Sequence, residues 1–171
     1  MPKIACDYIE VYLFRRRGRR VEFLILRRAP DRRLPGVWQP VTGRLRRGET
    51  ALAGAAREVR EETGLVQLRW WAIEGMTLFF DPAADRVRAV ALFAAELPPA
   101  AAVRRSREHS AHRFVPAREA ARRFLWNSQR RGLEAVRREV LPAGALARAR
   151  EITLLMPGAP RSRRRVRTPR T

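Results

Sequence analysis

The sequence predicts an α/β domain in which helices pack on both faces of one β-sheet. Apolar segments of strand length alternate along the chain with segments whose apolar residues recur at helical spacing. Strands interleaved with helices in this way favour a sheet that is covered on both faces. The chain has 171 residues, of which 46% are apolar, and this is enough for one domain with a sizeable core. We place this domain at residues 1–156.

The first part of the domain is predicted to be mostly strand. Residues 5–14 and 21–28 are rich in apolar and β-branched side chains, and the charged, turn-prone residues 15–20 separate them. A loop with two prolines follows over residues 29–36. Residues 37–42 then form a short third strand.

The first helix is predicted to begin at Glu49 or Thr50 and to end before Gly64, because glycine is favoured just past a helix end. The apolar side chains recur along it with a period of 3.6 residues and are expected to face the sheet. They are Leu52, Ala55, Ala56 and Val59. The acidic side chains of this helix are then expected on the opposite, more solvated flank.

Two long strands are predicted in the middle of the chain, over residues 65–80 and 86–96. They are joined around Asp81-Pro82, a pair that favours a turn. Residues 89–95 show no polar alternation, which indicates a strand covered on both faces.

The rest of the domain is predicted to hold one more strand and two helices. The strand lies at residues 111–115, and a helix follows over residues 116–125. Asn127 and Ser128 are expected to cap the second helix, because short polar side chains bond to free backbone N–H groups at helix starts. Its apolar stripe is formed by Leu133, Val136 and Val140.

The charge balance is strongly basic. The chain has 37 lysines and arginines and 17 acidic residues, which gives a net charge of +20, and Lys3 is the only lysine. So complete a preference for arginine indicates the codon usage of a GC-rich genome. A positive surface still attracts phosphate-bearing ligands and nucleic acid, so we expect non-specific nucleic-acid contact through the basic surface and tail.

Residues 157–171 are set apart from the domain as a basic tail. The last eleven residues contain six arginines, no acidic residue and one aliphatic residue, Val166. Such a segment cannot bury enough apolar surface to offset its chain entropy, so we expect it to be disordered.

The sequence gives no sign of export or of membrane insertion. It does not begin with a basic segment followed by an apolar one, and no uncharged stretch reaches the roughly 18 residues of a membrane span. Cys6 is the only cysteine, so an intrachain disulfide is excluded. We expect a soluble, cytoplasmic protein in which Cys6 is a buried, inert thiol on a strand.

Three carboxylates at helical spacing carry the chemistry. Glu58, Glu61 and Glu62 are related by steps of three and four residues, so they project from one face of the helix. An ordinary solvated helix end is the alternative interpretation. It is disfavoured because like charges at this spacing repel each other, and because acids near a helix C-terminus oppose the helix dipole. The pattern instead predicts a site for a hard metal ion.

The surrounding residues complete a longer motif. Gly43, five residues, Glu49, seven residues, Arg57-Glu58-Val59, one residue, Glu61-Glu62, one residue and Gly64-Leu65 follow each other at fixed spacing. This segment resembles the signature of the Nudix hydrolases at every fixed position. The resemblance implies an α/β/α sandwich with a mixed sheet, and a loop-helix-loop motif that uses Mg²⁺ or Mn²⁺ to hydrolyse a small-molecule substrate containing a diphosphate.

The same resemblance assigns roles to individual residues. Glu58 and Glu62 match the principal metal ligands, Glu61 is a further ligand or the base, and the backbone carbonyl of Gly43 is another ligand. Arg57 is expected to orient the glutamates through charge-assisted hydrogen bonds. In addition, Glu49 matches the outer acid of the motif.

A further candidate base lies in the second half of the chain. In several Nudix subfamilies a glutamate after the central strands supplies a distant ligand or the base, and Glu108 lies where that loop is expected. The alternative is a solvated surface acid among arginines, and both interpretations stay open. His109 and His112 show no metal-ligand spacing and receive no role.

Residues on both sides of the motif indicate the class of substrate. Residues 38–43, Trp-Gln-Pro-Val-Thr-Gly, and later Glu108-His109 and residues 126–129 are similar to the dihydroneopterin triphosphate pyrophosphatases of this family. Trp38 is expected to offer an aromatic face to a planar base, and Gln39 a donor and an acceptor. For Phe80 we favour core packing or a strand end over substrate contact.

Two rival functions remain. The first is removal of pyrophosphate from a triphosphorylated RNA 5′ end, which the basic charge favours and Val41-Thr42 disfavours. The second is a basic nucleic-acid-binding protein that keeps the domain only as a scaffold. The intact Arg57, Glu58, Glu61 and Glu62 argue against that one, because binding alone gives no reason to keep acids that repel each other.

Overall fold

A computed structural model gives the structure of residues 4–157. Along this part of the chain all seven strands precede the last three helices, and only the first helix lies between strands. The strands are β1 Ile4–Arg17, β2 Arg20–Arg28, β3 Trp38–Gln39, β4 Val41–Arg44, β5 Arg69–Asp81, β6 Arg86–Leu97 and β7 His109–Val115. The helices are α1 Ala51–Thr63, between β4 and β5, then α2 Ala117–Arg123, α3 Asn127–Glu139 and α4 Ala145–Arg150, with a 3-10 turn at Thr153–Leu155.

The strands form one mixed sheet. Its main order is β3-β2-β1-β6-β5, with β4 paired to β1 and β7 paired to β2. The pair β1 and β6 is parallel, with Ile4 opposite Val87 and Arg15 opposite Leu97, and the other paired strands are antiparallel. The two long strands β1 and β6 therefore form the centre of the sheet.

Each face of the sheet carries its own core. Because side chains alternate along a strand, Val11 and Leu13 of β1 face α1, where they pack with Ala55 and Val59. Tyr12 and Phe14, which alternate with them, face the other side and pack into a second cluster with side chains of α2 and α3. This arrangement is the α/β/α sandwich that the sequence predicts, and it confirms the mixed sheet.

Helix α1 begins and ends where local chemistry dictates. The hydroxyl of Thr50 accepts a hydrogen bond from the N–H of Ala53 at 3.2 Å, which satisfies one of the free donors of the first turn. Gly64 has φ of 72° in the left-handed region, and its N–H donates to the carbonyl of Arg60. Both predicted ends of this helix are confirmed.

Several predicted boundaries are wrong in detail. The turn after β1 is confined to Gly18 and Arg19, since the arginines on either side continue the ladder to the Arg17–Arg20 pair. Residues 65–68 lie outside the strand that follows them. The predicted strand 37–42 is divided at Pro40, which lacks the N–H that a ladder position needs. Helices beyond α3 were not predicted.

The cap of α3 also differs from the prediction. Asn127 is the first helical residue, and Trp126 is the N-cap without a side-chain hydrogen bond. The Asn127 carboxamide oxygen accepts a hydrogen bond from the Arg130 guanidinium instead. Leu133, Val136 and Val140 are buried as predicted.

Cys6 lies on β1 but is exposed, so its predicted burial is wrong. It lies near the beginning of the strand, beside a bulge in the pairing with β6 between Cys6 and Tyr8. The predicted cover of β6 on both faces is confirmed, since Ala89, Val90, Phe93 and Ala95 are all buried.

Within residues 4–157 no helix is long and apolar enough to cross a membrane. The predicted disorder of the basic tail concerns residues that, apart from Pro157, lie outside the described part of the chain. The domain boundary at residue 156 stays a prediction.

Candidate active site

The candidate site lies where two loops meet the C-terminal end of α1. Backbone hydrogen bonds dock the loop before β7 onto the helix, from the N–H of Arg104 to the carbonyl of Thr63 at 2.8 Å and from the N–H of Ser106 to the carbonyl of Glu62 at 3.1 Å. The loop after β2 joins them, since the N–H of Ala29 donates to the carbonyl of Glu108 at 2.9 Å. The acidic residues of α1 therefore face segments from both halves of the chain.

Glu58 lies against Gly43, which sits in β4 beside β1. A Cβ atom built on Gly43 would stand 2.2 Å from Cδ and Cγ of Glu58. Only a residue without a side chain allows this approach, so the glycine is required by the space that Glu58 fills. The structure therefore brings Gly43 and Glu58 together, and the role of the Gly43 carbonyl as a ligand stays a prediction.

Arg57 connects the acids of the helix. Its guanidinium donates to Glu49 at 2.7 and 2.8 Å, to Oε1 of Glu58 at 2.6 Å and to Oε2 of Glu61 at 3.1 Å. A further bond reaches the carbonyl of Arg44 at 3.1 Å. The predicted contacts of this arginine with the glutamates are thus present, and they raise the pKa of Arg57 above its usual value.

Glu49 is held on the far side of Arg57. The Arg57 hydrogen bonds, together with the N–H of Arg46 at 2.9 Å, lower the pKa of Glu49 to about 2. Glu61 is the more exposed partner and also pairs with Arg46 at 3.0 Å. Both carboxylates therefore serve to fix Arg57 against the helix.

Glu62 is buried, which corrects the expectation that all the carboxylates of α1 lie on its solvated flank. Its relative exposure is 4%, and within the described residues its Oε2 atom has no hydrogen-bond partner. Burial raises the pKa of Glu62 well above its usual value, and the neighbouring Glu58 and Glu108 raise it further. The space beside this oxygen is therefore suited to a positive charge.

Glu58 has a raised pKa for the same kind of reason. Burial is the main cause, the hydrogen bond from Arg57 opposes it, and the charges of Glu61 and Glu108 add to it. The charges that act on Glu58 and Glu62 belong to neighbouring carboxylates at the same end of α1. Glu58, Glu61, Glu62 and Glu108 therefore share one negative field.

Glu108 is placed at this site by the loop before β7. Its side chain is 55% exposed and lies 3.7 Å from the guanidinium of Arg32. Sequence reasoning left open a solvated acid or a base, and the structure gives it features of both, since it is solvated and its charge reaches Glu58 and Glu62. Its role stays a prediction.

His109 is the residue at the site that sequence reasoning passed over. Its Nε2 atom lies 3.9 Å from Oε2 of Glu62, with side-chain exposures of 1% and 6%. Burial, followed by the charges of Arg28, Arg105 and Arg32, lowers the pKa of His109 to about 4. The available signal was its position next to Glu108 at the start of a strand. His112 lies farther along β7 and packs edge-on against Phe114.

The two residues predicted to bind the base lie on opposite faces of the sheet. Trp38 packs against the cluster on the α2 and α3 side, and the guanidinium carbons of Arg113 and Arg123 lie 5.7 and 5.6 Å from its ring centre. Gln39 pairs with Leu26, a residue of the cluster under α1. The structure therefore does not bring the two side chains together.

Gln39 is fixed between two polar neighbours. Its Nε2 atom donates to Oγ1 of Thr42 at 3.1 Å, and its Oε1 atom lies 3.5 Å from Nη1 of Arg28. The positive charge of Arg28 also acts on Glu62, so Gln39 is linked to the acidic end of α1 through one arginine. Phe80 is 55% exposed and is the second-last residue of β5, so core packing is wrong and the alternative, a strand end, is confirmed.

A second buried polar group lies on the other face of the sheet, and sequence reasoning missed it. The hydroxyl of Tyr12 lies within hydrogen-bond distance of Oε1 of Glu10 and 2.9 Å from the carbonyl of Gln129. Burial raises the pKa of Glu10, and hydrogen bonds from Tyr12 and Gln129 oppose that effect. The apolar residues around Glu10 in β1 gave no sign of this partner on α3.

The acidic end of α1 fits a hard divalent cation. Mg²⁺ and Mn²⁺ prefer oxygen ligands. The end of α1 offers the carboxylates of its glutamates, among them the buried, unpartnered Oε2 of Glu62. Gly43 packs against Glu58 and adds a backbone carbonyl nearby. In the part of the chain that the structure describes, no group of three His, Cys, Asp or Glu side chains is already arranged as a metal cage. Glu58 and Glu61 are directed to Arg57 instead, and the ligand set stays a prediction.

Comparison with known proteins identifies the family. A family model described as the NUDIX domain matches residues 8–136. The chain therefore belongs to the Nudix family, and its fold is the one that solved Nudix hydrolases have.

Solved structures agree with this assignment. A NUDIX hydrolase from Listeria monocytogenes is 23% identical with a TM-score of 0.69, and the match covers 79% of this chain and 94% of that one. The dihydroneopterin triphosphate pyrophosphohydrolase of E. coli is 26% identical with a TM-score of 0.64, covering 76% and 95%.

One related sequence belongs to a longer protein. A Myxococcus xanthus protein named octanoyltransferase is 34% identical over 126 residues, which is 71% of this chain and 34% of that protein. The chain thus spans about a third of the length of this relative.

Proposed function

We propose that this chain is a divalent-metal-dependent pyrophosphohydrolase of a small nucleoside-triphosphate-like substrate, and that dihydroneopterin triphosphate is the first candidate. The observation that carries the proposal is the buried Oε2 of Glu62, which has no partner within the described residues and lies in the shared field of Glu58 and Glu108. Such an atom is costly in the absence of a cation. Mg²⁺, or Mn²⁺ in its place, would neutralise charge on the phosphoryl oxygens and lower the pKa of a water molecule.

The chain's own residues divide the remaining work. The cation would be held by the carboxylates of Glu58, Glu61 and Glu62 and by the carbonyl of Gly43. Arg57 orients Glu58 and Glu61 through its hydrogen bonds to them. A base must then accept the proton of the attacking water. Glu108 is our candidate, with Glu61 as the alternative, because both are solvated carboxylates at the edge of the site.

The substrate assignment rests on two supports. The E. coli neighbour that acts on dihydroneopterin triphosphate shares 26% identity over most of both chains. In addition, Gln39 is a buried donor and acceptor fixed beside Arg28, which suits the hydrogen-bonding edge of a planar heterocycle. We keep Trp38 as a candidate aromatic contact, but its position on the other face makes Gln39 the stronger one.

The test is a comparison of substrates under matched conditions. Purified chain with Mg²⁺ is assayed against dihydroneopterin triphosphate, nucleoside triphosphates and triphosphorylated RNA, with EDTA and the Glu62→Gln variant as controls. We expect the highest kcat/KM on a small triphosphate, release of pyrophosphate, and no turnover in either control. Turnover that persists with EDTA would contradict the metal role.

The same experiment tests the rival function, removal of pyrophosphate from a triphosphorylated RNA end. If triphosphorylated RNA is the preferred substrate, and the preference falls steeply with salt, the basic surface guides an RNA end to the site. A chain lacking residues 157–171 should then lose RNA turnover more than small-substrate turnover. We expect equal turnover of the small substrate by both chains.

A further inference from the structure

Two buried polar groups face each other at the site with the space between them open. The Nε2 atom of His109 and the Oε2 atom of Glu62 are 3.9 Å apart, and across residues 4–157 neither atom has a hydrogen-bond partner. A direct N–H···O bond needs about 2.7–3.2 Å. Closing the gap by roughly 1 Å would give Nε2 a partner and occupy one lone pair of Oε2, which leaves its other lone pair for a cation.

The backbones that carry the two side chains are already tied together. The N–H of Ser106 donates to the carbonyl of Glu62 at 3.1 Å, and the N–H of His109 donates to the carbonyl of Ser106 at 3.3 Å. The carbonyl of His109 accepts from Nη1 of Arg105 at 2.8 Å. These bonds fix the main chains relative to each other, and a small movement of either side chain would close the remaining gap.

We propose that His109 is a positioning residue, which donates its Nε2–H to Oε2 of Glu62 and so fixes this carboxylate for metal binding. A neutral imidazole has one N–H to give and adds no positive charge that would compete with a cation. Hydrogen-bonded outer partners of metal-binding side chains orient them, and their loss lowers metal affinity about 10- to 100-fold. The inference deepens the proposed function and rests on it.

Three variants test whether the Nε2–H group of His109 is needed. His109→Leu keeps bulk in the buried space but has no donor, whereas His109→Gln keeps an N–H near the position of Nε2. His112→Leu is the matched control, because His112 lies on the same strand and packs on Phe114. All are made in the full chain.

The main measurement is the affinity for Mn²⁺ by calorimetry without substrate. We expect His109→Leu to weaken binding about 10- to 100-fold, His109→Gln to restore most of it, and His112→Leu to leave it unchanged. Kinetically, the Mg²⁺ concentration at half-maximal rate should rise in His109→Leu, with the substrate KM at saturating Mg²⁺ unchanged. Unchanged Mn²⁺ affinity in His109→Leu, or a Gln variant as weak as the Leu variant, would overturn the inference.

A measurement on the unmodified chain guards against misfolded variants. Ring ¹⁵N NMR should show His109 as the Nε2–H tautomer, with its proton more protected from exchange after Mg²⁺ is added. The Nδ1–H tautomer in the Mg²⁺-bound protein would overturn the proposal. If the wild-type chain binds no Mn²⁺ and hydrolyses nothing, the proposed function fails and this inference with it. If the wild type binds and hydrolyses while His109→Leu matches it, only the inference fails.

Discussion

Gly43 and Glu58 are in contact across the junction of β4 and α1, and the space between them leaves no room for a methyl group. A Cβ on residue 43 would stand 2.2 Å from the Glu58 carboxyl carbon. We therefore expect Gly43→Ala to push Glu58 out of place without changing any charge. A misplacement of about 1 Å costs roughly 100-fold in rate.

The control for this change is Gly75→Ala. No atom lies within 4 Å of a Cβ built at Gly75, so the same substitution there tests the loss of a glycine alone. Kinetics with varied Mg²⁺ and a far-UV CD spectrum check the result. Equal activity of the two variants would show that Glu58 tolerates displacement.

Glu62→Gln is expected to abolish metal-dependent hydrolysis while strengthening the metal-free fold. The amide keeps the shape of the side chain but removes a buried charge that burial and Glu58 disfavour. Thermal unfolding with EDTA at pH 8 should give a higher Tm than wild type, and Mg²⁺ should no longer raise it. Glu134→Gln, an exposed change on α3, should alter neither property. A lower metal-free Tm would contradict the cost we assign to this carboxylate.

Arg57→Lys should impair the site although the charge is kept. A lysine ammonium cannot reproduce the fork that reaches Glu49, Glu58 and Glu61 together. We expect kcat to fall about 10- to 100-fold, the loss typical when an outer hydrogen-bonding partner of metal ligands is removed, with a higher Mg²⁺ requirement. Arg60→Lys is the control, because Arg60 is exposed on the same helix. Similar kinetics for both variants would mean that position 57 needs only a positive charge.

The buried Glu10 gives the fold a pH dependence independent of metal. Its pKa is raised from 4.5 in the folded chain, chiefly by burial. The stabilisation from its protonated form is therefore complete below pH 4.5 and is lost as the pH rises through the raised pKa. Glu10→Gln should remove this loss, so that the Tm difference between variant and wild type grows from pH 4.5 to pH 8. Unfolding curves in EDTA would show it, and parallel pH profiles would refute it.

Much of this fold could be predicted from short-range patterns. The period of Leu52, Ala55 and Val59, with Thr50 and Gly64 at the ends, was sufficient to place α1, because each signal is local. The apolar segment at 89–95 was sufficient to identify a strand covered on both faces. Boundaries failed where pairing with a distant strand decides them, as at the arginines of the β1–β2 turn.

The site was predicted in part for the same reason. The motif residues from Gly43 to Glu62 are close in sequence, so their spacing could be read directly. The burial of Glu62 and the approach of His109 depend on a loop more than forty residues away that docks on α1, and no pattern along the chain reports such a contact. Trp38 and Gln39 were both assigned to the base because they belong to one Trp-Gln motif, although alternation along a strand directs them to opposite faces.

The parallel pairing of β1 with β6 has a consequence for how the protein is made. Ile4 pairs with Val87, so β1 leaves the ribosome more than eighty residues before its parallel partner. At about 5–20 residues per second this interval lasts roughly 4–16 s. During that time β1 can pair with β2 and β4 but not with β6, so the edge of β1 that β6 will cover is open to a chaperone. Glu108 and His109 emerge later still. The nascent chain therefore contains the glutamates of α1 well before the loop that packs against them.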